Sequence, residues 1–251
     1  MKSSLFLDWF GVIADNDVMT RRWRRVEAQL LRQKYGGSLS RWISVHDRAF
    51  QWYLNYWSKH GPRSRRNYQA LWKLCEVERM RRTLEWAGVE PPNSERELFK
   101  LDRELTYEIT RRIDPTYPFA RQTLETLRQS GWRLFLVSGA DSTYVKGALE
   151  ATKLKSFFKD TYSPDTLDAF KGSLPYWKKI LRLSKSDPES SVVVDDRPKF
   201  LRVPAKLGFQ TILVGRDPTS SQQFTEVTSI RQLLSASLLP NLKNSECPIV
   251  V

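Results

Sequence analysis

Apolar positions along the chain fall into three regimes. Near the N-terminus a short unbroken run, Leu5-Phe6-Leu7, stops at Asp8. A run that is apolar at every position predicts a strand buried on both faces. From about residue 17 to residue 113 the period becomes that of a helix. Trp23, Val26 and Leu30 recur at helical spacing and stop at Gly36-Gly37, a C-cap signal. Trp42, Val45, Ala49, Tyr53, Tyr56 and Trp57 make a second stripe, ended by Gly61-Pro62. Leu71, Leu74, Cys75 and Val77, followed by Leu84 and Trp86, make a third before Gly88. Ser94 with Glu97 spells a capping box that opens a fourth. No strand pattern intervenes, so this stretch predicts an all-helical unit.

From about residue 116 the pattern alternates. A helix is predicted over 119–129 and a strand over 133–137, closed by Ser138-Gly139. Helices follow over 142–151 and 174–182. A second apolar run over 191–194 ends at Asp195-Asp196, and a helix over 201–207 leads through Gly208 to a strand over 210–214. Continuous apolar strands between helices predict an α/β fold, a doubly wound and mainly parallel sheet covered on both faces. Residues 1–16 and 114–251 then form the α/β core, and 17–113 a helical cap inserted after the first strand. In such sheets ligands bind beyond the carboxyl ends of the strands. Asp8, Ser138 and Asp195-Asp196 each stand at that end, so three strands deliver polar groups to one edge.

These residues resemble the four motifs of the haloacid dehalogenase superfamily. Asp8-Trp9-Phe10-Gly11-Val12-Ile13 is similar to its first motif, Asp-x-Asp-Gly-Thr/Val-Leu. Ser138-Gly139 after an apolar strand is similar to the second, Lys171 in Lys171-Gly172-Ser173-Leu174-Pro175 to the third, and Asp195-Asp196 to the fourth. The resemblance covers residues 1–15 and 114 to about 235. It implies that Asp8 is a nucleophile forming an aspartyl-phosphate. It also implies a Mg²⁺ held by Asp8, the main-chain carbonyl of Phe10, Asp195 and Asp196. Lys171 would offset negative charge near Asp8, and Ser138 with the Gly139 N–H would bind phosphoryl oxygens.

Two positions depart from the pattern. The family's phosphatases carry a general acid where this chain has Phe10, and an aromatic ring cannot move a proton. Phe200 stands where another acid is usual. Four readings follow. The leading one is a Mg²⁺-dependent phosphatase whose acid comes from elsewhere, with Asp15 and the cap acids as candidates, or whose leaving group needs none. A 2-haloacid dehalogenase-like enzyme fits the aromatic residue, but the paired aspartates favour a metal. A third reading resembles phosphonoacetaldehyde hydrolase, with a Schiff-base lysine for which Lys34, Lys59 and Lys73 are undistinguished candidates. The last is a non-catalytic, anion- or nucleic-acid-binding protein on the same fold.

Charge adds one more feature. The formal net charge is +13, and residues 17–113 carry 21 Lys and Arg against 12 Asp and Glu. Arg21-Arg22-Trp23-Arg24-Arg25, Arg63-Ser64-Arg65-Arg66 and Arg79-Met80-Arg81-Arg82 stand out, and six of the nine tryptophans lie in this stretch. Such a cap suits a phosphorylated small molecule. Arginine with aromatics also suits nucleic acid, but no recognised binding module accompanies it. Tryptophans at helical spacing with arginines on the opposite face equally describe a core and its solvated side. His46 and His60 are given no role. Two distant cysteines, Cys75 and Cys247, fit a reducing, cytoplasmic setting, and no apolar run reaches membrane-spanning length. The pattern leaves oligomeric state and the order of the tail after about Ser237 open.

Overall fold

The computed structural model describes residues 3–61, 68–215, 224–235 and 238–239. Pro62, the Arg63-Ser64-Arg65-Arg66 cluster, Cys247 and all of the tail but Leu238 and Leu239 lie outside the described residues. The apolar runs form the centre of a parallel sheet. Its strands are β1 (Ser4–Leu7), β2 (Arg133–Val137), β3 (Asp160–Tyr162), β4 (Ser191–Asp195), β5 (Gln210–Val214) and β6 (Thr225–Val227). Their spatial order is β3-β2-β1-β4-β5-β6, and every pairing is parallel. This is a doubly wound order, in which the winding reverses between β1 and β4 and opens a crevice there.

Alternation along each strand divides the core between the two faces. Leu5, Leu7, Leu134, Leu136, Val192, Val194 and Ile212 point to one side. Phe6, Phe135, Val137, Val193 and Leu213 point to the other. On that second face Phe6 stacks on Phe135 at 5.0 Å and meets Trp177 and Phe209 edge-on, geometries that suit aromatic quadrupoles. The covering helices are α5 (Ala120–Gln129), α6 (Ser142–Thr152), α7 (Pro164–Leu167), α8 (Leu174–Ser184) and α9 (Pro198–Lys206).

Between β1 and α5 the described chain is helical: α1 (Asn16–Tyr35), α2 (Leu39–His60), α3 (Tyr68–Trp86) and α4 (Glu95–Thr110). The stops are the predicted ones. Gly36 closes α1 with φ +76° and Gly61 closes α2. Of the predicted capping box, the Ser94 side chain accepts from the Glu97 N–H. Each helix packs on the next, and α4 returns to α1. α4 also lies directly on α6, where Gly147 faces Thr110. A β-carbon at Gly147 would come within 2.0 Å of Thr110 Oγ1, so only glycine lets the two helices meet.

Candidate active site

The strand register sets the site. Leu7 is level with Val194 on one side and Leu136 on the other, so Asp8, one residue further, stands beside Asp195 at the carboxyl edge. The Asp8 N–H still donates to Val194 O at 3.0 Å, holding the residue in line with the sheet. The chain then turns back. Gly11 donates to Ala14 O at 2.8 Å and takes φ +68°, a left-handed conformation that favours glycine.

Asp8, Asp195 and Asp196 each bring a carboxylate oxygen to within 4.8 Å of the others. Asp8 and Asp195 are buried, Asp196 half-buried. Lys171 is buried between them, its Nζ 2.8 Å from Asp8 Oδ1 and 2.7 Å from Asp195 Oδ2. The Trp9 N–H also donates to Asp8 Oδ1, at 2.7 Å. Burial would lower the Lys171 ammonium pKa, but the Asp195 and Asp8 carboxylates outweigh it and hold the group charged. Burial pushes Asp8 up to about 7; Lys171 opposes this, and Asp195 and Asp196 add to it. Burial, then Asp195, raises Asp196 as well. Three carboxylates thus face one buried ammonium, with the exposed Arg197 guanidinium 4.0 Å from Asp196, and the carboxylates still outnumber the cations, a balance that suits further positive charge.

The residues present fit a divalent cation. The donors are oxygens, the set that hard cations take. Asp196 Oδ1 is buried without a hydrogen bond, and the cation near it is the exposed Arg197, Nε at 4.0 Å. Asn16 approaches the other oxygen of Asp196, Nδ2 to Oδ2 at 3.5 Å.

The second motif is built differently. Ser138 is fully buried, and its Oγ accepts the Ala140 N–H at 3.0 Å. Tyr176 on α8 donates to the carbonyls of Ser138 and Tyr162, pinning the ends of β2 and β3. The helix that follows is capped by Asp141, which accepts from Thr143 and Tyr144. Gly139 is the member of the motif that reaches the cavity, with Lys171 Cδ 3.8 Å from where its β-carbon would be. Phe10 also reaches the cavity, its ring 5.2 Å from that of Tyr144. Asp15 is occupied as the N-cap of α1, and Lys34, Lys59 and Lys73 are exposed and do not line the cavity.

That cavity has a volume of about 450 Å³ and runs from Asp8 and Asp196 into the helices α1 to α4. Its far wall carries a charge network that sequence reasoning missed. Arg79 on α3 pairs with Glu27 at 3.1 Å, with Glu76 at 3.3 Å, and with Asp102. Arg103 on α4 pairs with Asp102, with Glu76 at 3.6 Å, and with Asp141 at 2.7 Å, which ties α4 to the loop after β2. His46 sits on Glu27, which also accepts from Trp23 Nε1 at 3.2 Å.

The parallel sheet and the helices inserted after its first strand are those of a class, hydrolases built on an α/β core. The chain belongs to the haloacid dehalogenase-like hydrolase family, whose profile matches residues 3–201. It is similar in structure to the magnesium-bound HAD-hydrolase YfnB of Bacillus subtilis, with TM-score 0.68 and 15% identity over 93% of this chain and 97% of that one. It is similar also to L-2-haloacid dehalogenase of Xanthobacter autotrophicus with chloropropionic acid covalently bound, at TM-score 0.62 and 16% identity over 94% and 98%. A HAD phosphatase from Thermococcus onnurineus matches at TM-score 0.58 and 16% identity over 92% and 96%. No curated protein matches the chain. Among the described residues no helix is long and apolar enough to cross a membrane.

Proposed function

We propose that this hydrolase cleaves a phosphate ester or anhydride in a Mg²⁺-dependent reaction, through an aspartyl-phosphate on Asp8. The observation that carries this reading is the trio of Asp8, Asp195 and Asp196, three carboxylates that converge around one buried ammonium. Mg²⁺ held by these carboxylates and the Phe10 carbonyl would neutralise charge and polarise a phosphoryl oxygen. The chain's own residues do the rest. Lys171 and the Trp9 N–H fix the orientation of the Asp8 carboxylate and lessen its repulsion of an incoming anion. Asp8 forms the bond to phosphorus as the bond to the leaving oxygen breaks, and water then cleaves the acyl-phosphate. Gly139 at the cavity edge offers its N–H to the phosphoryl group, while Ser138 shapes that loop through the Ala140 N–H. With Phe10 at the position of the usual acid, the residue beside the leaving group excludes water and supplies no proton. A cytoplasmic location and a phosphorylated small-molecule partner accompany this reading.

The second reading, a 2-haloacid dehalogenase, is favoured by Phe10, because halide leaves without a proton. Against it stand Asp195 and Asp196, which such chemistry does not need. The test is turnover of p-nitrophenyl phosphate with and without Mg²⁺, alongside Asp8→Asn. Mg²⁺-dependent turnover lost in the variant supports the phosphatase. Release of halide from a 2-haloacid, with no effect of Mg²⁺, would replace it with the dehalogenase.

A further inference from the structure

Resting on the phosphatase reading above, we propose that the site takes phosphate monoesters whose leaving group is an uncharged aromatic ring, seated in the cap cavity. The cavity wall is ring-lined. Phe10 and Trp23 meet Tyr144, the latter stacked at 5.7 Å and 8°, and Tyr53, Tyr68 and Trp72 continue the lining. A volume of about 450 Å³ suits a small organic group. The mouth is apolar too: Phe50 and Leu54, one turn apart on α2, line it while remaining 42% and 46% exposed. Exposed apolar side chains of this size at a cavity rim mark a binding surface.

Charge argues independently against a second anionic group on the substrate. Among the described residues, the arginines lining the cavity are Arg79, Arg103 and Arg197, and each has a carboxylate within 4.0 Å. Arg79 and Arg103 together face four carboxylates, Glu27, Glu76, Asp102 and Asp141. Their positive charge is consumed within the wall. A bisphosphate or nucleotide would have to displace those carboxylates or sit unpaired beside them, which is costly in a buried site.

The chemistry at Phe10 points the same way. A phenol has a pKa of about 10, against about 16 for water and a similar figure for simple alcohols. As Asp8 bonds to phosphorus, the P–O bond to the ring breaks. The phenolate leaves with the electron pair and takes its proton from solvent. Hydrolysis of the aspartyl-phosphate then returns the carboxylate and inorganic phosphate. A ring that leaves unassisted and a cavity built of rings explain each other.

The experiment compares kcat/KM of the Mg²⁺-loaded protein on 2-naphthyl phosphate, acetyl phosphate and fructose 1,6-bisphosphate. The expected order puts 2-naphthyl phosphate at least about tenfold above acetyl phosphate and about a hundredfold above the bisphosphate. Trp72→Ala is expected to cut the naphthyl-to-acetyl ratio about tenfold; being a ratio within one variant, it is insensitive to the fraction folded. In the unmodified protein, 2-naphthol should compete with acetyl phosphate. Equal efficiency on acetyl phosphate, a preference for the bisphosphate, or no competition by 2-naphthol overturns the aromatic leaving group and leaves the phosphatase standing. No turnover of any of the three overturns the phosphatase itself.

Discussion

Gly11 and Asp196 touch across the mouth of the site: a β-carbon on Gly11 would lie 2.4 Å from Asp196 Oδ2. The backbone at Gly11 is left-handed besides. Gly11→Ala therefore faces a backbone penalty of roughly 1–3 kcal/mol and must also push a carboxylate out of the trio. The expected result is a lowered melting temperature together with a loss of Mg²⁺-induced stabilisation, read by thermal melts with and without the ion. A variant that melts lower yet keeps the full Mg²⁺ shift would separate Asp196 from the metal.

Arg79 sits amid Glu27, Glu76 and Asp102 with its side chain 11% exposed. Removing one partner of a buried ion pair leaves uncompensated charge and costs about 3–5 kcal/mol. Arg79→Ala is expected to destabilise the protein by that order. Arg24→Ala breaks a bidentate pair with Asp47, but that pair is about half exposed and should cost less than about 1 kcal/mol. Urea unfolding of both variants decides; equal effects would mean that the buried network contributes no more than a surface pair.

Two acids of this network respond to pH in opposite senses. Burial would raise Glu27, but His46 and Arg79 outweigh it and lower its pKa from 4.5 to about 2. A depressed acid contributes stability above its unfolded pKa and loses it as pH falls, here from about 4.5 towards 2. Glu76 is raised to about 7 by burial and by Asp102, with Arg79 and Arg103 opposing and Asp141 adding. A raised acid favours the fold most below about 4.5 and loses that contribution as pH rises through 7. Glu76→Gln should therefore flatten the fall in stability between about pH 5 and 8 and leave the steeper loss below pH 4 in place, while Glu27→Gln should soften that acid limb. Melting temperatures across pH 3–8 read both slopes; a Glu76→Gln profile parallel to the original would refute the assignment.

The sheet was readable where apolar runs are continuous. β2 and β5 begin and end at the residues the pattern names, because Gly131, Ser138, Gly208 and Gly215 punctuate them. β3 and β6 were missed: each is a three-residue strand at a sheet edge, too short to carry a period, and α7 spans one turn. At the site, Asp8, Lys171, Asp195 and Asp196 meet as a set: the aspartates were legible because strand ends are predictable places, whereas Lys171, between α7 and α8, was legible only through the resemblance to the family's third motif. The cap wall was not predictable in the same way. Of Arg79, Arg81 and Arg82, the pattern could not say which turns inward. A signal did exist. Asp102 interrupts the stripe Leu98, Leu101, Leu105, Ile109, and His46 interrupts Trp42, Val45, Ala49. A polar or charged group on an apolar face announces a buried partner, without naming which distant helix supplies it.

Phe10 gives the last prediction. It lines the cavity beside Asp8 and packs on Tyr144, at the place where an acid could reach a leaving oxygen. Phe10→Asp puts a proton donor there. A positioned general acid contributes about 10²–10⁴ in rate, and the benefit falls on leaving groups that cannot depart as anions. The variant should therefore gain on alkyl phosphates such as glycerol phosphate while gaining little or losing on p-nitrophenyl phosphate, raising the alkyl-to-aryl ratio of kcat/KM by at least about tenfold. The packing lost against Tyr144 lowers both rates together and leaves the ratio readable. An unchanged ratio would mean that position 10 is not where protons reach the leaving group, and the search for an acid would pass to Glu76 on the opposite wall.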